Sequence, residues 1–101
     1  MKKLRFMLEY NCSPIWVLND DALIDVGLPE DLLQYQELAR LLDEISTEYD
    51  GLFVNNEIEF AYKGFSSKEE EIAFDKKIRK AINLLKKVAG EKYMIQVDEN
   101  I

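Results

Sequence analysis

From Lys3 to Tyr10 the chain alternates, with Leu4, Phe6, Leu8 and Tyr10 on one side and Lys3, Arg5, Met7 and Glu9 on the other. A period of two is that of a strand with one buried face, so residues 3–10 predict a first strand. Asn11-Cys12-Ser13-Pro14 gathers turn formers, and Ile15-Trp16-Val17-Leu18 is β-branched and aromatic, which predicts a second strand folded back on the first. Asn19-Asp20-Asp21 is another turn signal, and Ala22-Leu23-Ile24-Asp25-Val26 reads as a third strand ended by Gly27. The first quarter is therefore expected to be a three-stranded meander.

The period then changes. Leu28-Pro29-Glu30-Asp31 has the composition of a helix start, because proline is tolerated in the first turn and carboxylates suit the positive end of the helix dipole. Leu38, Leu41, Leu42, Ile45 and Tyr49 recur at helical spacing as a buried stripe, and Gly51 marks the exit. Glu57-Ile58-Glu59-Phe60-Ala61-Tyr62 alternates again, predicting a fourth strand with Ile58, Phe60 and Tyr62 on one face. Ser67-Lys68-Glu69-Glu70 predicts a capping box, in which hydroxyl and carboxylate each take a free backbone amide. The helix it opens aligns Phe74, Ile78, Ala81, Ile82, Leu85, Val88 and Ala89, with Gly90 at the C-terminal cap. Tyr93, Ile95 and Val97 close the chain as a fifth strand. The order βββ-α-β-α-β predicts an α+β fold: a mainly antiparallel five-stranded sheet with two amphipathic helices on one face, in one domain over residues 1–101.

With 48% hydrophobic and 33% charged residues, four Gly and two Pro, the chain is outside the disordered and low-complexity classes. Lys2, Lys3 and Arg5 precede only Phe6-Met7-Leu8 before Glu9 interrupts, which is too short for the core of an export signal. No stretch approaches the roughly 18 apolar residues of a membrane span, so a cytoplasmic protein without a membrane partner is expected. Cys12 is the sole cysteine, which rules out an intramolecular disulfide and a multi-cysteine metal site; near a strand end it reads as a small buried hydrophobe.

Charge is uneven along the chain. From Glu30 to Phe65 nine acidic residues face two basic ones, a net of −7, which is also the net charge of the whole protein, so the remainder sums to zero. Such a field repels nucleic acid and anionic lipid and accelerates encounter with a basic partner. A protein partner is expected, not a nucleic acid.

The absence of histidine closes every mechanism that needs an imidazole base or ligand. Asp20, Asp21 and Asp25 are the densest carboxylates on a predicted loop, but they lack the oxygen spacing and central glycine of a calcium loop. There is no glycine-rich phosphate loop, and Ser46, Ser66 and Ser67 have no nearby base in sequence. No metal, no cofactor and no catalytic activity are expected, with a small carboxylate-dependent enzyme as an alternative.

On the first helix Glu37, Asp43, Glu44, Thr47 and Glu48 fall opposite the apolar stripe, with Arg40 among them. They form either an ordinary solvated face or an electrostatic contact surface. Trp16, sharing a strand face with Leu18, is expected in the core. Tyr35, Phe53, Tyr62 and Phe65 are not fixed by periodicity, and Phe53 lies among acids where an aromatic would suit a binding patch. On the second helix Lys76, Lys77, Arg79, Lys80, Lys86 and Lys87 follow Glu69, Glu70, Glu71 and Asp75, an order that complements the helix dipole without a ligand.

Taken together, Phe6-Met7-Leu8-Glu9-Tyr10 leading into Pro14-Ile15-Trp16-Val17, Gly27-Leu28-Pro29, Tyr49-Asp50-Gly51-Leu52-Phe53-Val54-Asn55-Asn56 and Phe60-Ala61-Tyr62-Lys63-Gly64-Phe65 carry a resemblance. Over most of its length the chain resembles small immunity proteins of bacterial polymorphic-toxin and contact-dependent growth inhibition systems. The resemblance implies a protein that binds the C-terminal toxin domain of a cognate effector, frequently a nuclease, and blocks it. Combined with the charge pattern, it gives an expected binding surface of Asp20, Asp21, Glu37, Asp43, Glu44, Glu48, Asp50, Phe53, Glu57 and Glu59, facing a basic toxin domain. A non-inhibitory adaptor that docks on a basic protein is the other binding alternative.

Overall fold

Strands β1 (Lys3–Phe6) and β2 (Ile15–Asn19) pair antiparallel, with Leu4 opposite Val17 and Phe6 opposite Ile15. Residues opposite one another across a ladder share a face, and these four side chains are buried. Strand β3 (Ala22–Val26) continues the meander on β2. Its two-residue turn, Asp20-Asp21, has positive φ at both positions (52° and 65°), the backbone that right-twisted hairpins favour and that aspartate tolerates. The computed structural model describes residues 2–56, 58–99 and 101.

The rest of the sheet departs from expectation. The last strand, β6 (Met94–Val97), lies beside β1 and runs parallel to it, giving a mixed four-stranded sheet in the order β3-β2-β1-β6. The direction follows from a short connection. Helix α2 (Lys68–Ala89) ends four residues before β6 begins, and the Met94 amide bonds the Lys2 carbonyl at 3.0 Å. The chain therefore joins the sheet at the end where β1 starts and runs alongside it.

The expected fourth strand is not in this sheet. Residues Phe60–Tyr62 (β5) pair antiparallel with Phe53–Asn55 (β4) in a separate two-stranded hairpin. A loop this short closes at less entropic cost than a return to the main sheet, and the β1 edge is taken by β6. Ile58 of the expected strand sits in the hairpin loop, and Glu57 lies outside the described residues.

Helix α1 (Gln36–Asp50) starts later than Pro29 suggests. Glu30–Leu32 form only one turn of 3-10 helix, with Leu32 buried and Asp31 held by Lys92 and Tyr93. Fixing that turn forces the chain to redirect through Leu33–Tyr35 before the Leu38, Leu41, Leu42 and Ile45 stripe can face the sheet. All four are buried, together with Phe74, Ile78, Ala81, Ile82, Leu85 and Ala89 of α2, in one cluster with Leu4 and Phe6. Both helices therefore cover the same sheet face, as expected.

The capping box is half formed. The Ser67 hydroxyl accepts the Glu70 amide at 3.1 Å, but the Glu70 carboxylate accepts from the Ser66 hydroxyl instead of the Ser67 amide. Trp16 and Leu18 stand opposite Arg5 and Lys3, on the sheet face away from the helices. Trp16 is thus half-buried outside the main core, its indole donating to the Ser13 carbonyl at 3.2 Å.

Candidate functional site

Helix α1 holds the 11–14 turn through its C-terminal half. The Ser46 hydroxyl donates to the Cys12 carbonyl at 3.2 Å, and the Asp50 carboxylate accepts the Asn11 amide at 2.8 Å. Asn11 takes a positive φ of 58°, a backbone asparagine adopts readily. Between this turn and the helix lies an open cleft of about 340 Å³, lined in part by Cys12, Ala39, Asp43, Ser46 and Asp50. Asp43 and Asp50 are two turns apart on one helix face, roughly 10 Å along the axis. Asp43 has no ion-pair partner among the described residues, and Asp50 meets only a backbone amide. The cleft therefore presents two uncompensated negative charges.

The hairpin adjoins this cleft. Phe53 stands opposite Tyr62, and Asn55 opposite Phe60, so these four side chains share one hairpin face. Phe53 is the hub of a ring cluster: it meets Tyr10 at 4.9 Å, Tyr49 at 5.2 Å, Tyr62 at 5.2 Å, and Phe60 stacked at 5.5 Å, while Tyr10 also meets Phe60 at 4.9 Å. Tyr10 precedes Asn11 and Tyr49 precedes Asp50, so two consecutive pairs tie rings to cleft. Burial pushes the Tyr49 hydroxyl above its ordinary pKa, and Tyr62, Glu9 and Asp50 add to the shift. Tyr49 thus lies close to the Glu9 and Asp50 carboxylates.

The other acids of the expected surface are dispersed or neutralised. Glu48 and Glu44 both reach Lys77 of α2, at 2.6 and 3.4 Å, and Glu44 also pairs with Arg40 at 2.6 Å. The hydrogen bond to Glu48 raises the Lys77 pKa, with Glu44 adding to it. Glu37 pairs with Lys80 at 3.3 Å, and Glu59 with Lys63 at 3.6 Å. The acidic face of α1 is thus partly folded against basic residues of α2, and dipole complementarity is not the whole account of those lysines. Asp20 and Asp21 lie at the Lys3 end of β2, on the order of 15 Å along the strand from the 11–14 turn. There Asp21 pairs with Lys3 at 2.6 Å, a bond that holds its carboxyl below the usual range.

The structure therefore sets Asp43 and Asp50 on one cleft, places Phe53 and Glu59 on the hairpin that follows Asp50, and leaves Asp20 and Asp21 at the far end of β2 and Glu37 paired with α2. Sequence reasoning missed Tyr10, Tyr49 and Phe60 as members of one cluster. Their signal was present as aromatics beside Asn11, Asp50 and Glu59, but only the fold shows that they meet.

A second polar constellation ties the 3-10 turn to β6. Asp31 accepts from Lys92 at 2.7 Å and from the Tyr93 hydroxyl at 2.8 Å. The Lys92 bond first, then the Tyr93 bond, lowers the Asp31 pKa, while Lys92 is raised by Asp31. A depressed carboxyl stabilises the fold above its unfolded value of about 3.9 and loses that contribution as pH falls through its folded value. The raised Lys92 contributes below about 10.4 and loses its part as pH rises through its own folded value. Asp31→Asn is accordingly expected to lie below the wild type in urea midpoint near neutral pH, with the gap closing below about pH 4. A gap independent of pH would show that the carboxylate charge contributes nothing.

Among the described residues no helix is long and apolar enough to cross a membrane. No curated protein matches this chain. A family model does match, over residues 2–100, and its description is Serratia CdiI immunity protein-like. A match over nearly the entire chain settles the kinship that the aromatic and glycine positions suggested: the chain belongs to the Serratia CdiI immunity protein-like family, immunity proteins of contact-dependent growth inhibition.

Proposed function

We propose that the protein binds and neutralises a cognate toxin domain, a basic nuclease, by laying an acidic surface over its substrate site. It acts in the cytoplasm as an inhibitor and not as an enzyme. Membership of the immunity family supports the neutralising role. The observation that carries the electrostatic part is the pair Asp43 and Asp50, which flank the cleft without a cationic partner among the described residues while neighbouring acids are ion-paired. A nuclease cleft is built to attract phosphates, so carboxylates offered at a fixed spacing take the place of substrate and speed encounter through opposing fields.

The test is calorimetry of the purified protein with the toxin domain encoded beside it, at low and high salt, together with that domain's nuclease activity. Tight binding that weakens with salt and abolishes cleavage is expected. Binding that leaves cleavage intact would replace this reading with that of a non-inhibitory adaptor.

A further inference from the structure

The hairpin of β4 and β5 stands apart from the core. Among the described residues it shares no ladder with the main sheet, and its backbone is tied down at its base, where the Lys63 and Gly64 amides bond the Leu52 carbonyl at 2.7 and 3.2 Å. Its rings pack on Tyr10 and Tyr49, yet Phe60 remains 57% and Tyr62 56% exposed, and Ile58 in the loop is 93% exposed. A short exposed hairpin gains little folding energy from presenting aromatic rings to water, whereas rings held rigid by a stacked hub suit a contact surface. Phe60 is nearly parallel to Phe53, at 9°, so one ring face is backed by protein.

The charge around the rings defines what would cover them. Glu9 adjoins Tyr10 in the chain, Asp50 adjoins Tyr49, and neither carboxylate has an ion-pair partner among the described residues. Glu59, next to Phe60, shares its charge with Lys63 at 3.6 Å. Exposed ring faces bordered by carboxylates complement a planar cation, which can stack on a ring and donate hydrogen bonds in its plane at once. A lysine ammonium, more strongly hydrated and without a flat face, satisfies only part of this arrangement.

From this we infer that the β4–β5 hairpin is the anchor of the partner contact, and that Phe60 and Tyr62 receive arginine side chains from a basic protein surface. The inference rests on the neutralisation reading and names the chemistry of the partner at that site. The cleft carboxylates then supply long-range attraction and the hairpin supplies the short-range hold.

Two measurements test it. The first titrates the protein with acetylated tetra-arginine and tetra-lysine amides, following the ring resonances of Tyr10, Phe60 and Tyr62 by NMR. Arginine is expected to shift them saturably and more strongly than lysine. Phe60→Leu/Tyr62→Leu, which keeps apolar area but removes the π faces, is expected to lose the preference. The second measures affinity of the adjacent-encoded toxin domain for Phe60→Ala/Tyr62→Ala, where a loss of about thirtyfold is expected with an unchanged urea midpoint. Wild-type binding that the double variant retains would overturn the hairpin as anchor and leave neutralisation standing. Absence of toxin binding by the wild type would instead overturn the neutralisation reading. The peptide titration then decides the arginine site alone, and rings indifferent to tetra-arginine would remove it.

Discussion

Replacing Phe6 with alanine is expected to lower the unfolding free energy by about 3–5 kcal/mol, the range for a large aromatic removed from a core that cannot collapse around the gap. Phe6 has no exposed surface and lies on a strand paired on both sides, against Ile15 and Val97. Backbone hydrogen bonds on two flanks hold β1 in place, and two helices close the face above it, so neighbouring side chains have little freedom to fill the void. A domain of this size has roughly 5–15 kcal/mol in total, so the variant is expected to lose a large share of its stability. Urea unfolding followed by tryptophan fluorescence measures it. A loss below about 1.5 kcal/mol would mean that the site relaxes and that β1 is not the rigid centre of the core.

Asp43→Lys combined with Asp50→Asn is expected to slow association with the toxin domain by about tenfold or more at low ionic strength, with the difference shrinking as salt is added. The pair changes the cleft by three charge units. The side-chain amide introduced by Asp50→Asn keeps an oxygen able to accept the Asn11 backbone N–H, so the 11–14 turn is retained. Glu44 and Glu48 are poor choices for the same experiment, because reversing them would set like charges against Lys77 and disturb the contact between α1 and α2. Stopped-flow association at two salt concentrations makes the measurement. An association rate unchanged by the double substitution at low salt would place the electrostatic contact elsewhere.

Much of this organisation is legible along the chain. The alternation at Leu4 and Phe6, the aspartates of the 20–21 turn, the Leu38/Leu41/Leu42/Ile45 stripe and the Ser67 cap each depend on residues near one another, so local periodicity and turn chemistry suffice to find them. The parallel direction of β6 was beyond that reasoning because it is set by where α2 delivers the chain. The hairpin was missed for a related reason. Phe60-Ala61-Tyr62 has the pattern of a sheet strand, and nothing within it states whether its partner is β1 or the Phe53-Val54-Asn55 segment.

The binding surface divides in the same way. Sequence alone determined that the protein is acidic, that its negative charge is concentrated between Glu30 and Phe65, and that it lacks imidazole chemistry, since composition and order fix these whatever the fold. Only the tertiary structure decided which of those charges remain available. Packing α2 beside α1 carries Lys77 and Lys80 onto Glu48, Glu44 and Glu37, while Asp43 and Asp50 face a cleft bordered by a turn without cations. Folding likewise gathers Tyr10, Tyr49, Phe53, Phe60 and Tyr62 from three separate segments into one cluster. Coulomb and ring contacts act over a few ångströms of space, and sequence separation carries no information about those distances until the sheet and helices fix them.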